Sequence, residues 1–241
     1  MPKILLLAMS LMTRIPMPEQ EDIQAADFAR AALLFPLAGF LIGICLVIPA
    51  LVLTATSPVL IAAVLTVLWA AITGGLHLKG VSSSSDALIG GIGDEKKTQR
   101  ILKDAITGDA GTTAIVAVLI LKFAALSVLL EQGYFWSILF APVFGRALIL
   151  LLFMTTPCIK AEGLASAVST YLPRDLVRLI LAVCLLLAVI VSLNGLLLML
   201  AGFWLLRRLV MQRLQGCTID TAGASVEFGE VFWLVGVALL A

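Results

Sequence analysis

Three polar stretches interrupt an otherwise apolar chain, and each sets acids beside glycines. The first, "GGLHLKGVSSSSDALIGGIG" at 74–93, holds the sole histidine, His77, then Ser82 to Ser85 and Asp86. The second, "DEKKTQRILKDAITGDAGTT" at 94–113, opens on Asp94, a residue type that caps helices. A short amphipathic helix after it would turn Ile101 and Leu102 toward membrane or core, with Lys103 and Asp104 ahead of a turn at Gly108-Asp109-Ala110-Gly111. The third, "GCTIDTAGASVEFGE" at 216–230, brings Asp220, Glu227 and Glu230 to the mouth of the last apolar run. Carboxylates from separate segments beside glycine turns are what a Mg²⁺–phosphate site requires. Mg²⁺ takes hard oxygen ligands, commonly one or two carboxylates plus substrate phosphates, and glycine lets backbone amides approach phosphate oxygens. Taken singly, each stretch reads equally as solvated acids near a helix end.

A membrane scaffold must position these groups. The 241 residues are 61% hydrophobic and 13% charged, against roughly 45–50% apolar and about 25% charged in soluble domains. A water-soluble fold of this length could not bury so much apolar surface. The expected fold is an all-α polytopic transmembrane bundle of about six or seven helices, one integral-membrane domain over residues 1–241. A net charge of +1 supplies no clustered cations for phosphate backbones, so nucleic acid is not an expected partner. Cys45, Cys158, Cys184 and Cys217 are scattered and form no C-x-x-C pair, so neither a zinc site nor a disulfide framework follows. The N-terminal "MPKILLLAMSLMTRIPMP" lacks a small-x-small cleavage site and reads as an interfacial or partly inserted helix.

Runs long enough to span lie at 33–53, 58–76, 112–130 and 134–153. The run at 177–206 is too long for one span and is expected to turn back at Asn194-Gly195. A final short span occupies 228–241, and Pro36, Pro49 and Pro142 should kink or end their helices. With these spans, the N-terminus and the segments 77–111, 154–176 and 207–227 share one face, while 54–57, 131–133 and 194–195 take the other. Only Lys122 and Arg146 of the sixteen Lys and Arg residues fall away from the first face or its border at Arg178. Cytoplasmic loops carry the Lys/Arg excess, so a multi-pass protein of the cell inner (cytoplasmic) membrane is expected, its active loops facing the cytoplasm. Every stretch long enough for chemistry then lies on one side, which fits an enzyme better than a transporter with vestibules on both. Lys122 and Arg146 sit at mid-span, too deep to snorkel easily. They are expected to face inward, pairing with acids or attracting an anionic substrate.

The ordered motifs "TGGLHLKG", "GGIGD", "ILKD", "GRALILLL", "EGLASAV", "LPR" and "GCTIDTAGASVEFGEV" resemble the cobalamin synthase family of membrane adenosylcobinamide-GDP ribazoletransferases. The likeness extends to "LMTRIPMP" and "FPLAGFLIG" and so covers nearly the whole chain. It implies a Mg²⁺-dependent transferase of late cobalamin biosynthesis. Adenosylcobinamide-GDP and α-ribazole, or its 5′-phosphate, would be the substrates, and adenosylcobalamin (or its phosphate) and GMP the products. Carried over residue by residue, it implies Asp86, Asp104 and Asp220 as catalytic and metal-binding acids. His77 would orient a carboxylate, act as base, or be a structural histidine at a helix end. Lys103, Arg146, Thr218 and Glu227 are implied in substrate binding. A homo-oligomer remains open.

The family pattern across 77–86 reads H-L-D-G-x-A-D-T-x-D, whereas this chain reads "HLKGVSSSSD". Lys79 and Ser83 therefore replace acids, Ile106 stands where arginine is favoured, and Ile219 replaces a glycine. Acid-to-lysine turns an attraction for a divalent ion into a repulsion of several kcal/mol at about 4 Å and an effective dielectric near 20. Weak Mg²⁺ binding and low or no turnover are the expectation. The other readings are a small membrane transporter using Lys122 and Arg146 and a non-catalytic corrinoid-binding membrane protein.

Overall fold

The computed structural model describes residues 2–240 apart from 19, 54–55, 105 and 160–162. Part of the 54–57 link, part of the 154–176 loop with Glu162 of "EGLASAV", and the last residue of the 228–241 run thus lie outside the described residues. Those described form twelve helices. They are α1 (Pro2–Met12), α2 (Ala25–Ala32), α3 (Phe35–Val52), α4 (Pro58–Thr73), α5 (Leu76–Gly90) and α6 (Glu95–Lys103), followed by α7 (Asp109–Glu131), α8 (Phe135–Thr155), α9 (Leu164–Tyr171), α10 (Arg174–Val191), α11 (Leu193–Leu214) and α12 (Ile219–Ala238). Cys158 and Cys217 make an isolated parallel bridge.

Among the described residues, helices α3, α7, α8 and α11 are long and apolar enough to cross a membrane, and α4 with α5, bent by 88°, is either a broken fifth span or a re-entrant pair. The expected six or seven spans are reached only by adding α10, with Arg174, Asp175 and Arg178, and α12, with Asp220, Glu227 and Glu230. The bend has a local cause. Gly74 and Gly75 both adopt left-handed backbone, at φ +59° and +67°, so α4 ends and α5 leaves in a new direction.

Three expectations are corrected. The stretch at 77–93 is not a loop but mostly helix α5, with His77, Ser82 and Ser84 buried. The break in the 177–206 run falls at Ser192, not at Asn194-Gly195; Ser192 Oγ accepts the Gly195 N–H at 3.1 Å and so caps α11. The last helix begins at Ile219 rather than Phe228, because a reciprocal Thr218–Thr221 cap starts it there. Of the prolines, Pro36 opens α3 and Pro49 stands in its last turn, while Pro142 lies inside α8 without ending it. The Asp94 cap forms as expected, its carboxylate accepting the Lys97 N–H at 3.0 Å.

Helix α8 runs through the centre of the bundle, 78% of its span buried. Close backbone approach holds α3 against it. A β-carbon on Gly39 would come within 2.8 Å of Val143 N, and one on Gly43 within 2.9 Å of Leu139 C. With no hydrophobic effect between helices in lipid, such small-residue seams supply the packing energy. On its other side α8 meets α12, where Phe144 and Trp233 pack edge-on at 4.5 Å and Trp233 Nε1 donates to Ser137 O at 3.0 Å.

Candidate functional site

Helices α5 and α12 cross at a glycine contact. A β-carbon at Gly80 would lie 3.0 Å from Gly223 Cα and 2.9 Å from Ala224 N, with Asp220 O closer still. This crossing brings the start of α12 beside the second turn of α5, while α6, residues 158–159 and residues 163–165 close round them. A cavity of about 520 Å³ results. Its polar wall comprises Lys79 and Ser83 from α5, Lys103 and Asp104 at the end of α6, and Thr218 and Asp220 at the start of α12. Of the eight residues singled out from sequence, Lys103, Asp104, Thr218 and Asp220 are thus brought together. Lys79 and Ser83, noted in the sequence only as departures, share their cavity.

The other four lie elsewhere. Asp86, one turn beyond Ser83 on α5, faces the start of α7: Oδ2 accepts the Gly108 N–H at 2.8 Å and Oδ1 the Gly111 N–H at 2.7 Å. The glycine turn expected to cradle phosphate thus cradles an internal carboxylate, which also suits the positive end of the α7 dipole. A β-carbon at Gly108 would crowd Asp86 Oδ1 at 2.6 Å, so glycine is required for this approach. His77 is buried and lines a separate cavity of about 330 Å³, and its Nδ1 has no hydrogen-bond partner among the described residues.

Arg146 and Glu227 belong to a charge cluster inside the bundle. Lys122 Nζ on α7 donates to Glu227 Oε2 at 2.7 Å and Glu230 Oε2 at 2.6 Å on α12, and Arg146 Nη1 on α8 pairs with Glu230 Oε1. Exposure is 3% for Lys122, 2% for Glu227 and zero for Arg146 and Glu230, so the four charges must neutralise one another. The Lys122 ammonium also lies 4.1 Å from the Trp69 ring centroid. The expected inward pairing of both mid-span cations is what the structure contains. Glu230, named among the acids of the third stretch but given no role there, is the residue that joins them; its spacing of three from Glu227, one face of a helix, was the available signal.

Two lysines, two carboxylates, an amide from Gln99 and two hydroxyls make the larger cavity a mixed-charge cradle. Cations and the amino end of α12 suit phosphate oxygens, while Asp104 and Asp220 suit a hard cation. The described residues contain no group of three or more metal-ligating side chains. Two carboxylates on one wall are the number that Mg²⁺ commonly takes from a protein when phosphates and water complete its shell. Cys158 lines the cavity and Cys217 lies behind it; burial pushes the Cys217 thiol up to about 12, so it stays protonated and unreactive near neutral pH.

The family profile described as Cobalamin-5-phosphate synthase matches residues 4–238. An adenosylcobinamide-GDP ribazoletransferase of Stutzerimonas stutzeri is 40% identical over 238 residues, 98% of this chain and 97% of the relative. Proteins of the same name from Pseudomonas paraeruginosa and Pseudomonas aeruginosa are 42% and 41% identical over the same shares of both chains. No solved structure matches.

Proposed function

This chain belongs to the cobalamin-5-phosphate synthase family, and we propose that it is a membrane transferase that joins adenosylcobinamide-GDP to α-ribazole or its 5′-phosphate, releasing GMP. The observation carrying this reading is the convergence of Lys103, Asp104, Thr218 and Asp220, from segments more than a hundred positions apart, on one polar cavity. In the reaction a ribose hydroxyl oxygen bonds to the cobinamide-side phosphorus, and the bridging oxygen of the diphosphate leaves with GMP. The hydroxyl proton passes to a base, for which the Asp104 and Asp220 carboxylates are the candidates on the wall.

Displacement at a diphosphate is chiefly a matter of positioning and charge neutralisation. Lys103 and the start of α12 would hold the departing phosphate, and the Thr218 hydroxyl oxygen, already engaged with the Thr221 N–H at 3.2 Å, keeps that helix end in register. Asp104 and Asp220 would hold a Mg²⁺ ion, which when bound supplies positive charge to the diphosphate oxygens. Lys79 works against that ion from the same wall, so slow turnover with weak Mg²⁺ dependence is part of the proposal. The one-sided Lys/Arg distribution supports an inner-membrane protein with this cavity open to the cytoplasm.

The test is GMP release from adenosylcobinamide-GDP by the full chain in liposomes, with and without α-ribazole, beside a Lys79→Asp/Ser83→Asp variant. Release that needs α-ribazole, and falls about a hundredfold in Asp220→Asn, is expected. Absence of release from both the native chain and the double variant would overturn the reading.

A further inference from the structure

Helices α8, α10 and α11 leave an apolar cleft of about 250 Å³ between them. Leu148 and Leu151 of α8, Leu181 and Leu185 of α10, and Leu196 and Leu200 of α11 line it, and no charged residue does. Side chains facing such a void lose the dispersion contacts that a filled space would give them. Toward the end of the bundle that carries the Lys/Arg excess, the same three helix faces turn polar. On α8, Leu148 and Leu151 lead to Thr155, seven and four positions on, and on α11 Leu196 and Leu200 lead to Arg207, eleven and seven on. On α10, which runs the other way, Arg174 and Arg178 precede Leu181 and Leu185. Such spacings keep residues on one helix face. A contact above the cleft fits this alignment: Arg207 Nε donates to Thr155 Oγ1 at 3.2 Å, and Nη2 donates to Thr155 O.

These cations are poorly compensated. Among the described residues Arg174 and Arg207 make no ion pair, and Arg178 pairs with Asp175 alone, at 2.8 Å. Three guanidiniums thus stand against one carboxylate. On the same turn as Arg207, Arg208 lies over the exposed Trp204 ring, 5.4 Å from its centroid, and an exposed tryptophan on a spanning helix marks the headgroup level of a bilayer.

We propose that this cleft holds one anionic phospholipid, an acyl chain lying between α8, α10 and α11 and the phosphate meeting Arg174, Arg178 and Arg207. The inference is independent of the transferase reading. Basic pockets between spanning helices take anionic headgroups, and arginine bonds phosphate oxygens with two donors at once. A zwitterionic lipid offers the same chain but brings an ammonium toward the guanidiniums. A second apolar helix would cover the cleft without engaging them.

Native mass spectrometry tests this on the full chain in detergent, given equal amounts of phosphatidylglycerol and phosphatidylcholine. One phosphatidylglycerol should be retained in clear preference, and Arg178→Gln/Arg207→Gln should lower that preference by about fivefold for each guanidinium lost. Ala188→Phe, which fills the cleft from α10, should remove the retained lipid. Lys96→Gln/Lys97→Gln takes two charges from the exposed face of α6 and should leave the preference within about twofold, because those charges lie outside the cleft. Where circular dichroism shows a variant unfolded, Arg174→Gln/Arg178→Gln replaces the first and Leu200→Trp the second. Equal retention of the two lipids by the native chain overturns the inference. So does retention unaffected by filling the cleft, or a loss of preference in the α6 variant as large as in the arginine variant.

Discussion

Lys122 and Glu230, 108 positions apart in the chain, meet at 2.6 Å inside the bundle, and Glu230 extends its other oxygen to Arg146. Three helices are thereby tied through side chains no more than 3% exposed. A β-carbon at Gly145 would fall 2.7 Å from Glu230 Cγ, so the glycine on α8 makes room for the carboxylate that joins them.

Removing Lys122 should therefore cost far more than an ordinary surface charge. Lys122→Met leaves two buried carboxylates facing one guanidinium, and a loss of about 3–5 kcal/mol is expected. Thermal unfolding in detergent micelles measures it. The paired variant Lys122→Met/Glu227→Gln rebalances the cluster and should be less destabilised than the sum of its parts; strict additivity would argue against a coupled cluster.

At the helix crossing, Gly80→Ala pushes its methyl onto the α12 backbone, 2.9 Å from Ala224 N. Overpacking of this sort costs about 1–3 kcal/mol, and separating α5 from α12 should also reduce GMP release. Gly93→Ala is the contrast: φ is +85° but open space surrounds it, so about 1–2 kcal/mol of backbone strain is expected with activity kept. Equal activity loss in the two would show that the crossing itself has no special role.

Asp86→Asn replaces one acceptor by an amide group that meets an N–H donor at Gly108 or Gly111. The first turn of α7 should exchange its amide hydrogens faster, with a stability loss of about 1–2 kcal/mol. Hydrogen-exchange mass spectrometry reads this directly. A fall in Mg²⁺ affinity without any change in exchange would instead return Asp86 to the metal site.

Charge reversal in the polar cavity should act in the opposite sense. Lys79 and Ser83 share that cavity with Asp104 and Asp220, so Lys79→Asp/Ser83→Asp should tighten Mg²⁺ binding and raise turnover at least tenfold. Titration calorimetry with Mg²⁺ and steady-state GMP release provide the two readouts. Equal rates in the two chains would refute the electrostatic argument.

The amino-terminal region carries a pH-dependent contact. The Asp27 carboxyl, which accepts the Gln24 N–H at 3.1 Å and lies near Lys3 and Arg30, is held below its ordinary value of 3.8, with partial desolvation opposing. A folded-state value below the unfolded one gives stability that is present above pH 3.8 and is lost as pH falls through the lowered value. Melting of the native chain should thus steepen its decline below about pH 4, and Asp27→Asn should flatten that portion of the curve. Superimposable curves would remove the contribution.

Much of the scaffold was legible in the chain, because the relevant energies are local sums. Twenty apolar residues in a row suffice to specify a span, so α3, α7 and α8 fall close to their expected limits. Asp94 caps α6 through its own neighbours, and a lysine and an arginine at mid-span demand partners whatever the fold. Which partners they take was not local. Glu230, an acid of the third polar stretch, reaches both cations because that stretch is not a loop but part of α12, whose Glu227–Glu230 face meets α7 and α8. The same rotation and the Gly80–Gly223 crossing put Asp104 and Asp220 on one cavity, whereas Asp86, on the same helix as Lys79 and Ser83, points to the amides of α7. A side chain's residue type states what it can bond; only the crossing and rotation of packed helices decide which group stands within 3 Å to bond it.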